Sequence, residues 1–269
     1  MKKLVRDLMH PGLHTCRPDA TLGQVSVLLT LLHVHALVVI GQDNLPAGII
    51  SDSDLLAGEW LSEDSQSLAA MRKLTAGELM SSPIDTIEGS QPLRMAAEML
   101  IEKDVNRLLV TEKGVAAGVI STSDFVSSIA MQEKPLRKTV ADVMSDAILV
   151  CREKTPLVSA ARTLTQAGWR SVLVVDAQGK PQGVVSGKDL LPYVENGIDE
   201  KLTVQDIMHP ALTIDIHARL RAAADLMIQK HYHRLVVIDQ DDPQAFPLGI
   251  ISSFDIVAEM ARPGSIWQK

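Results

Sequence analysis

The sequence predicts an α/β (α+β) array in which one β-α-β-β-α unit occurs four times. Two landmarks carry that expectation. The first is a phrase of Gly, two aliphatics, Ser, two variable residues and Asp. It occurs as Gly48-Ile49-Ile50-Ser51-Asp52-Ser53-Asp54, Gly118-Val119-Ile120-Ser121-Thr122-Ser123-Asp124, Gly183-Val184-Val185-Ser186-Gly187-Lys188-Asp189 and Gly249-Ile250-Ile251-Ser252-Ser253-Phe254-Asp255, with successive glycines 70, 65 and 66 residues apart. The second is an acidic residue two before a Met, in Asp7-Leu8-Met9, Glu78-Leu79-Met80, Asp142-Val143-Met144 and Asp206-Ile207-Met208. Each Met precedes its glycine by 39, 38, 39 or 41 residues.

Between the landmarks the elements follow in a fixed order. Leu93, Ala96, Ala97, Leu100 and Ile101 fall on one face of an amphipathic helix, and Leu220, Ala223, Ala224, Met227 and Ile228 repeat those offsets. Leu22, Val25 and Leu29, and Leu157, Ala160, Ala161 and Leu164, follow them more loosely. The small Ala pairs let another element pack close. Aliphatic runs rich in β-branched residues come next, at Leu37-Val38-Val39-Ile40, Leu108-Leu109-Val110, Val172-Leu173-Val174-Val175 and Leu235-Val236-Val237-Ile238. A polar turn then leads to the strand that carries the phrase. Ser-x-x-Asp opens a last helix, because Ser is a favoured N-cap and an acid at the third helical position completes a capping box.

Polar stretches near 58–73, 131–139 and 193–203 read as linkers, and Gln132-Glu133-Lys134-Pro135-Leu136-Arg137-Lys138 is the expected boundary between two halves. Units of about 65 residues are marginal alone, so they should bury surface against each other. The chain of 269 residues is 46% apolar and 22% charged, enough for a full core.

Composition also excludes function classes. A net charge of -7 and a pI near 5.6 argue against a broad grip on nucleic acid or an anionic membrane. Aromatic residues make up only 3% of the chain, too few for the stacking platforms of single-strand binders. Val25 to Ile40 carries His33 and His35 and is shorter than the ~18–20 residues of a membrane span. Arg6, Asp7 and His10 interrupt what would be the apolar core of a signal peptide, so a cytoplasmic protein is expected. Cys16 and Cys151 each follow a landmark Met by seven residues and read as half-buried thiols of a reducing compartment. His33-x-His35 and His231-x-His233 match in position, but no carboxylate or Cys stands beside them at ligand spacing, so no metal is expected. With no G-x-S-x-G, Walker A loop or C-x-x-C, no enzyme is expected either.

The Asp-x-Met start, the Ala-rich helix, the His-Arg or Asn-Arg before an aliphatic strand and the Gly-h-h-Ser-x-x-Asp finish resemble the CBS domain, named after cystathionine β-synthase. The resemblance covers nearly the whole chain. It implies CBS repeats at 1–57, 74–130, 138–192 and 202–262, paired into two Bateman modules, 1–130 and 138–269, that form a disc. Such modules bind adenosine compounds in clefts between repeats and regulate other proteins. The expected ligand is an adenosine nucleotide (AMP, ADP or ATP) acting as a regulator, with no catalytic cofactor. The expected partner is a separate regulated protein, with neither nucleic acid nor membrane, and the reading leaves room for a homodimer. An S-adenosylmethionine or NAD sensor and a non-binding dimerisation scaffold remain alternatives.

Chemistry assigns roles within the phrase. A helix N-terminus favours phosphate, which gives Ser51, Ser121, Ser186 and Ser252 a phosphate role. An ionised carboxylate repels phosphate and accepts from hydroxyls, which puts Asp54, Asp124, Asp189 and Asp255 on the ribose, as the resemblance also implies. A plain capping box is the competing explanation of the same residues. Arg107 and Arg234, preceded by Asn106 and His233, can grip phosphate bidentately. Repeat 1 has only His35 before Ala36, whereas repeat 3 has Arg170 before Ser171 and adds Lys188. Repeats 2 and 4 are therefore the better expected phosphate sites. Ile50, Ile120, Val185 and Ile251 are candidate adenine walls that could equally be core.

Overall fold

Each unit opens with a capped turn formed by the landmark acid. In the computed structural model, which describes residues 3–55, 74–130, 138–193, 199, 201–242, 244–263 and 265, the acid folds back on the residue three before it. Asp7, Glu78, Asp142 and Asp206 accept the N–H of Leu4, Thr75, Thr139 and Thr203, each at 2.8 Å. Gln132–Arg137 of the boundary peptide and the whole stretch 58–73 lie outside the described residues.

Repeat 1 continues with strands β1 (His10–Pro11) and β2 (Thr15–Cys16), helix α1 (Leu22–Leu31) and the hairpin β3 (Ala36–Ile40) and β4 (Pro46–Ser51). Repeat 2 has α2 (Ala76–Leu79), β5 (Thr86–Glu88), α3 (Leu93–Glu102), the hairpin β6 (Arg107–Glu112) and β7 (Val115–Ser121), and α4 (Thr122–Ala130). Repeat 3 has β8 (Val150–Arg152), α5 (Leu157–Gln166), β9 (Ser171–Val175), β10 (Pro181–Ser186) and α6 (Gly187–Leu190). Repeat 4 has β11 (His209–Pro210), β12 (Thr213–Asp215), α7 (Leu220–Lys230), β13 (Arg234–Ile238), β14 (Pro247–Ser252) and α8 (Ser253–Ala261). In every repeat the middle strand pairs parallel with the short strand before the helix and antiparallel with the phrase strand.

The first helices bury the expected faces, except that Ile228 is 37% exposed. They stop alike. His33, Asp104, Gly168 and His231 take left-handed backbone (φ 55°, 50°, 65° and 56°). The next amide, of Val34, Val105, Trp169 or Tyr232, bonds back to the carbonyl of Leu29, Leu100, Leu164 or Met227. His and Asp tolerate this conformation better than most non-glycine residues, so His33 and His231 serve as helix stops.

The two landmarks, far apart in sequence, meet in space by exchange between consecutive repeats. The segment opening repeat 1 lies on the phrase strand of repeat 2, with His10 opposite Val119 and Pro11 opposite Gly118. The segment opening repeat 2 lies on repeat 1, where Ser81 bridges Ile49. Repeats 3 and 4 exchange in the same way: His209 pairs with Val184, and Ser145 bridges Ile250. This exchange explains the repeated glycine. A Cβ at Gly118 would stand 2.2 Å from the His10 carbonyl oxygen, and one at Gly249 2.5 Å from that of Ser145. At Gly48 and Gly183 it would strike Met80 Sδ and Met208 Sδ at 2.5 and 2.6 Å.

The chain divides into two compact units. Unit 1 is Met1–Gly12, Asp85–Ile148 and Leu212–Lys269; unit 2 is Leu13–Ile84 and Leu149–Ala211. Unit 1 thus gathers the bodies of repeats 2 and 4, and its core is continuous between them. The phrase helix of each repeat packs on the first helix of the other, α4 on α7 and α8 on α3, so the Ala pairs Ala96-Ala97 and Ala223-Ala224 admit a neighbouring helix. Phe125, fully buried there, contributes about 1.5–3 kcal/mol by its removal from water. Unit 2 gathers repeats 1 and 3 around two apolar clusters, and Leu191 of repeat 3 joins the cluster of repeat 1, where its carbonyl accepts from buried Ser26 Oγ at 3.0 Å. Among the described residues no helix is long and apolar enough to cross a membrane.

Candidate functional site

The phrase strand turns directly into a helix, and Ser and Asp close that turn on each other. Asp54, Asp124, Asp189 and Asp255 each accept, on Oδ2, the backbone N–H of their own phrase Ser at 2.7 Å. The Ser hydroxyl donates to the same oxygen at 2.6–2.8 Å. The proton of Ser51, Ser121, Ser186 and Ser252 is thus committed to the carboxylate, which leaves Oδ1 as the second oxygen of each Asp.

The same capping geometry occurs in the opening turns, and the comparison separates a cap from something more. Backbone and hydroxyl hydrogen bonds hold exposed Glu78, Asp142 and Asp206 below the usual carboxylate range. Burial pushes Asp124 and Asp255 above that range, although Ser121 and His10 pull against it at one and Ser252 and Arg234 at the other. Asp124 is only 3% exposed. A cap needs no such burial, and the desolvation works against the charge it uses.

Cations enter from the middle strand. Arg107 is the register partner of Ser121, and Arg234 that of Ser252; Ala36 and Ser171 hold the same place opposite Ser51 and Ser186. Directly opposed residues of an antiparallel pair share a face with Cβ atoms about 4.5–5.5 Å apart, so the two arginines stand beside their serines. Both belong to unit 1, where the phrases of repeats 2 and 4 adjoin: Thr122 Oγ1 and Ser253 Oγ lie 3.2 Å apart in a buried contact, and His233 Nδ1 lies 3.2 Å from Ser123 Oγ. In unit 2, His35 Nδ1 pairs with Asp52 Oδ2 at 2.9 Å, so a carboxylate stands between this ring nitrogen and any phosphate. Half-buried Arg170 and exposed Lys188 flank the phrase of repeat 3.

The four candidate adenine walls lie in the core. Ile50, Ile120, Val185 and Ile251 are fully buried in the apolar clusters beneath their sheets, where a ligand cannot touch them. Strand alternation turns the preceding aliphatics, Ile49, Val119, Val184 and Ile250, to the opposite face, where they are half-buried beside the exchanged segments. Two residues not expected at the site also arrive on those segments. His10 Nδ1 lies 2.6 Å from Asp124 Oδ1, and His209 Nε2 lies 2.8 Å from Asp189 Oδ1. Their signal in the sequence is the recurrence of Met-His-Pro at Met9-His10-Pro11 and Met208-His209-Pro210.

Known proteins share this organisation. The chain is 31% identical over 141 residues to a CBS domain-containing protein of Dictyostelium discoideum, covering 51% of this chain and 97% of that one. It is 25% identical over 201 residues to the gamma subunit of 5'-AMP-activated protein kinase of Kluyveromyces lactis, covering 65% of this chain and 60% of that subunit. The fold is similar to the crystal structure of protein MJ1225 from Methanocaldococcus jannaschii, with a TM-score of 0.82 at 18% identity over 96% of this chain and 100% of that one. The CBS domain model matches residues 5–59, 76–131, 140–196 and 204–262, one match per repeat, and the chain therefore belongs to the CBS domain family.

Proposed function

We propose that the chain is a cytoplasmic, non-catalytic regulatory module that binds an adenosine nucleotide of the AMP, ADP or ATP class and passes nucleotide state to a separate protein. The observation that carries this reading is the burial of Asp124 and the half-burial of Asp255 in a turn that exposed acids close equally well elsewhere in the chain. A carboxylate kept where its charge is disfavoured is a candidate functional position. Ribose hydroxyls are assigned to Oδ1 of the phrase Asp, phosphate to Arg107 and Arg234, and adenine to the face of Val119 and Ile250. Repeat 4 combines Arg234 with a phrase Asp whose opposing segment brings Ser145, so it is the leading site. The exchanged segments that tie repeat 1 to 2 and repeat 3 to 4 support pairing into modules 1–130 and 138–269. Kinship with a kinase gamma subunit supports both an adenine nucleotide and a separate partner.

A ligand regulates only through unequal affinity for two states of the module or of its complex. The test is thermal unfolding of the intact chain with AMP, ADP, ATP, NAD and S-adenosylmethionine in turn. A ligand that binds only the folded state adds about 2.7 kcal/mol at a hundredfold excess over its Kd. A rise in Tm with an adenosine nucleotide, smaller in Asp255→Ala, is expected. No shift with any of the five supports a non-binding scaffold instead.

A further inference from the structure

We propose that His10 and His209 are latches: each holds the second oxygen of a phrase Asp, so that repeats 2 and 3 accept a ribose hydroxyl only by displacing an imidazole, while repeats 1 and 4 place a serine, Ser81 or Ser145, at the same register position. The proposal rests on the nucleotide-binding reading and divides its four sites into two classes. In Asp124 and Asp189, Oδ2 is spent on the backbone amide and hydroxyl of Ser121 or Ser186. Oδ1 is the oxygen left for a ligand, and it is the oxygen that the histidine takes.

Three features make the contact a latch rather than a structural tie. The imidazoles are 79% and 60% exposed while their carboxylates are 3% and 8% exposed, so a ring can swing into solvent without unpacking anything, whereas its Asp is covered when the ring is in place. Both rings arrive on the exchanged segments, β1 and β11, from the register positions opposite Val119 and Val184. Different ring nitrogens make the two contacts, Nδ1 in His10 and Nε2 in His209, so the shared element is the carboxylate oxygen and not one imidazole pose. At the same register positions repeats 1 and 4 receive Ser81 and Ser145, opposite Ile49 and Ile250. A hydrogen bond to a carboxylate that must be broken before a ligand can enter lowers affinity roughly tenfold or more.

The latch assigns a rank that neither Arg nor Asp predicts alone. Repeat 2 has Arg107 but a latched Asp124; repeat 4 has Arg234 and no histidine at the register position. Titration calorimetry with adenosine, which lacks phosphate and so bypasses the arginines, tests the latch on the intact chain. The comparison is wild type, His10→Ala/His209→Ala, and that double variant with Asp124→Ala and Asp189→Ala added. The more conservative His10→Gln/His209→Gln serves as a second variant, and melting curves establish that each protein is folded. Removing both histidines should tighten about two of the sites by roughly tenfold, and the added Asp changes should abolish that gain. Equal affinity and stoichiometry in wild type and both histidine variants would overturn the latch. Weaker binding in those variants also overturns it, because the imidazoles would then be ligand contacts. If adenosine binds none of the proteins and AMP does not bind wild type, the nucleotide reading itself fails and takes the latch with it.

Discussion

Arg234 stands directly opposite Ser252 across the β13–β14 ladder, and its charge reaches Asp255 one helical turn beyond. Arg107 and Ser121 repeat the arrangement, so a cation and a capped carboxylate flank the same strand end twice within unit 1. If phosphate sits on the guanidinium and ribose on the carboxylate, the two contacts separate by ligand. Arg234→Ala should weaken AMP by about 10- to 100-fold and leave adenosine within about threefold of wild type. Asp255→Ala should weaken both. Calorimetry with the two ligands checks this, and equal losses in both variants contradict the assignment.

The exchange between consecutive repeats predicts a second outcome. Gly118→Ala places a methyl group against the His10 carbonyl, which is backbone and cannot rotate away. The variant should lose about 1–3 kcal/mol of stability, the usual range for overpacking. Gly114→Ala is not an equivalent control, since Gly114 has φ +78° and is strained on conformational grounds alone. The control is Ala116→Gly on the same strand, with stability read from denaturant midpoints at constant slope. An unchanged midpoint for Gly118→Ala would contradict the close approach of β1 to β7.

Opposite pKa shifts in one capping geometry predict opposite responses to neutralisation. Asp255 is raised by burial, so the stability associated with its neutral form is complete below the unfolded-state value and is lost as pH rises through the folded value. Asp206 is lowered by hydrogen bonds from Thr203, so its contribution is present above the unfolded value and is lost as pH falls through the folded one. At neutral pH, Asp255→Asn should therefore raise Tm and Asp206→Asn should lower it, and the second difference should vanish in acid. Thermal melts between about pH 3 and 8 decide the signs. A destabilised Asp255→Asn would mean that the phrase Asp is a cap like the others.

Much of this architecture was legible in the residues, for identifiable reasons. Helical periodicity located α3 and α7 with their Ala pairs because a buried helix face recurs every three to four residues. Aligning the repeats placed Arg107 and Arg234 at one position, and the ladder makes that position the register partner of the phrase Ser. Which face of the strand each aliphatic takes was not legible. Two aliphatics in a row, such as Ile250-Ile251, point to opposite faces, and both faces of these sheets are covered well enough to keep both apolar. Segment exchange was hidden too, since no local pattern says that residues 5–11 close the sheet of repeat 2 rather than their own. For that reason His10 and His209 went unassigned, although Met-His-Pro stands twice in the sequence.

A crystal structure of the intact chain grown with saturating AMP tests the central claim most directly. The account predicts nucleotide at repeat 4, with a ribose hydroxyl about 2.6–3.2 Å from Asp255 Oδ1, phosphate on the Arg234 guanidinium and adenine on the Ile250 face rather than against Ile251. AMP seated at Ser51 and Asp54 with none at Ser252 and Asp255, or no AMP at any of the four phrases, would contradict it.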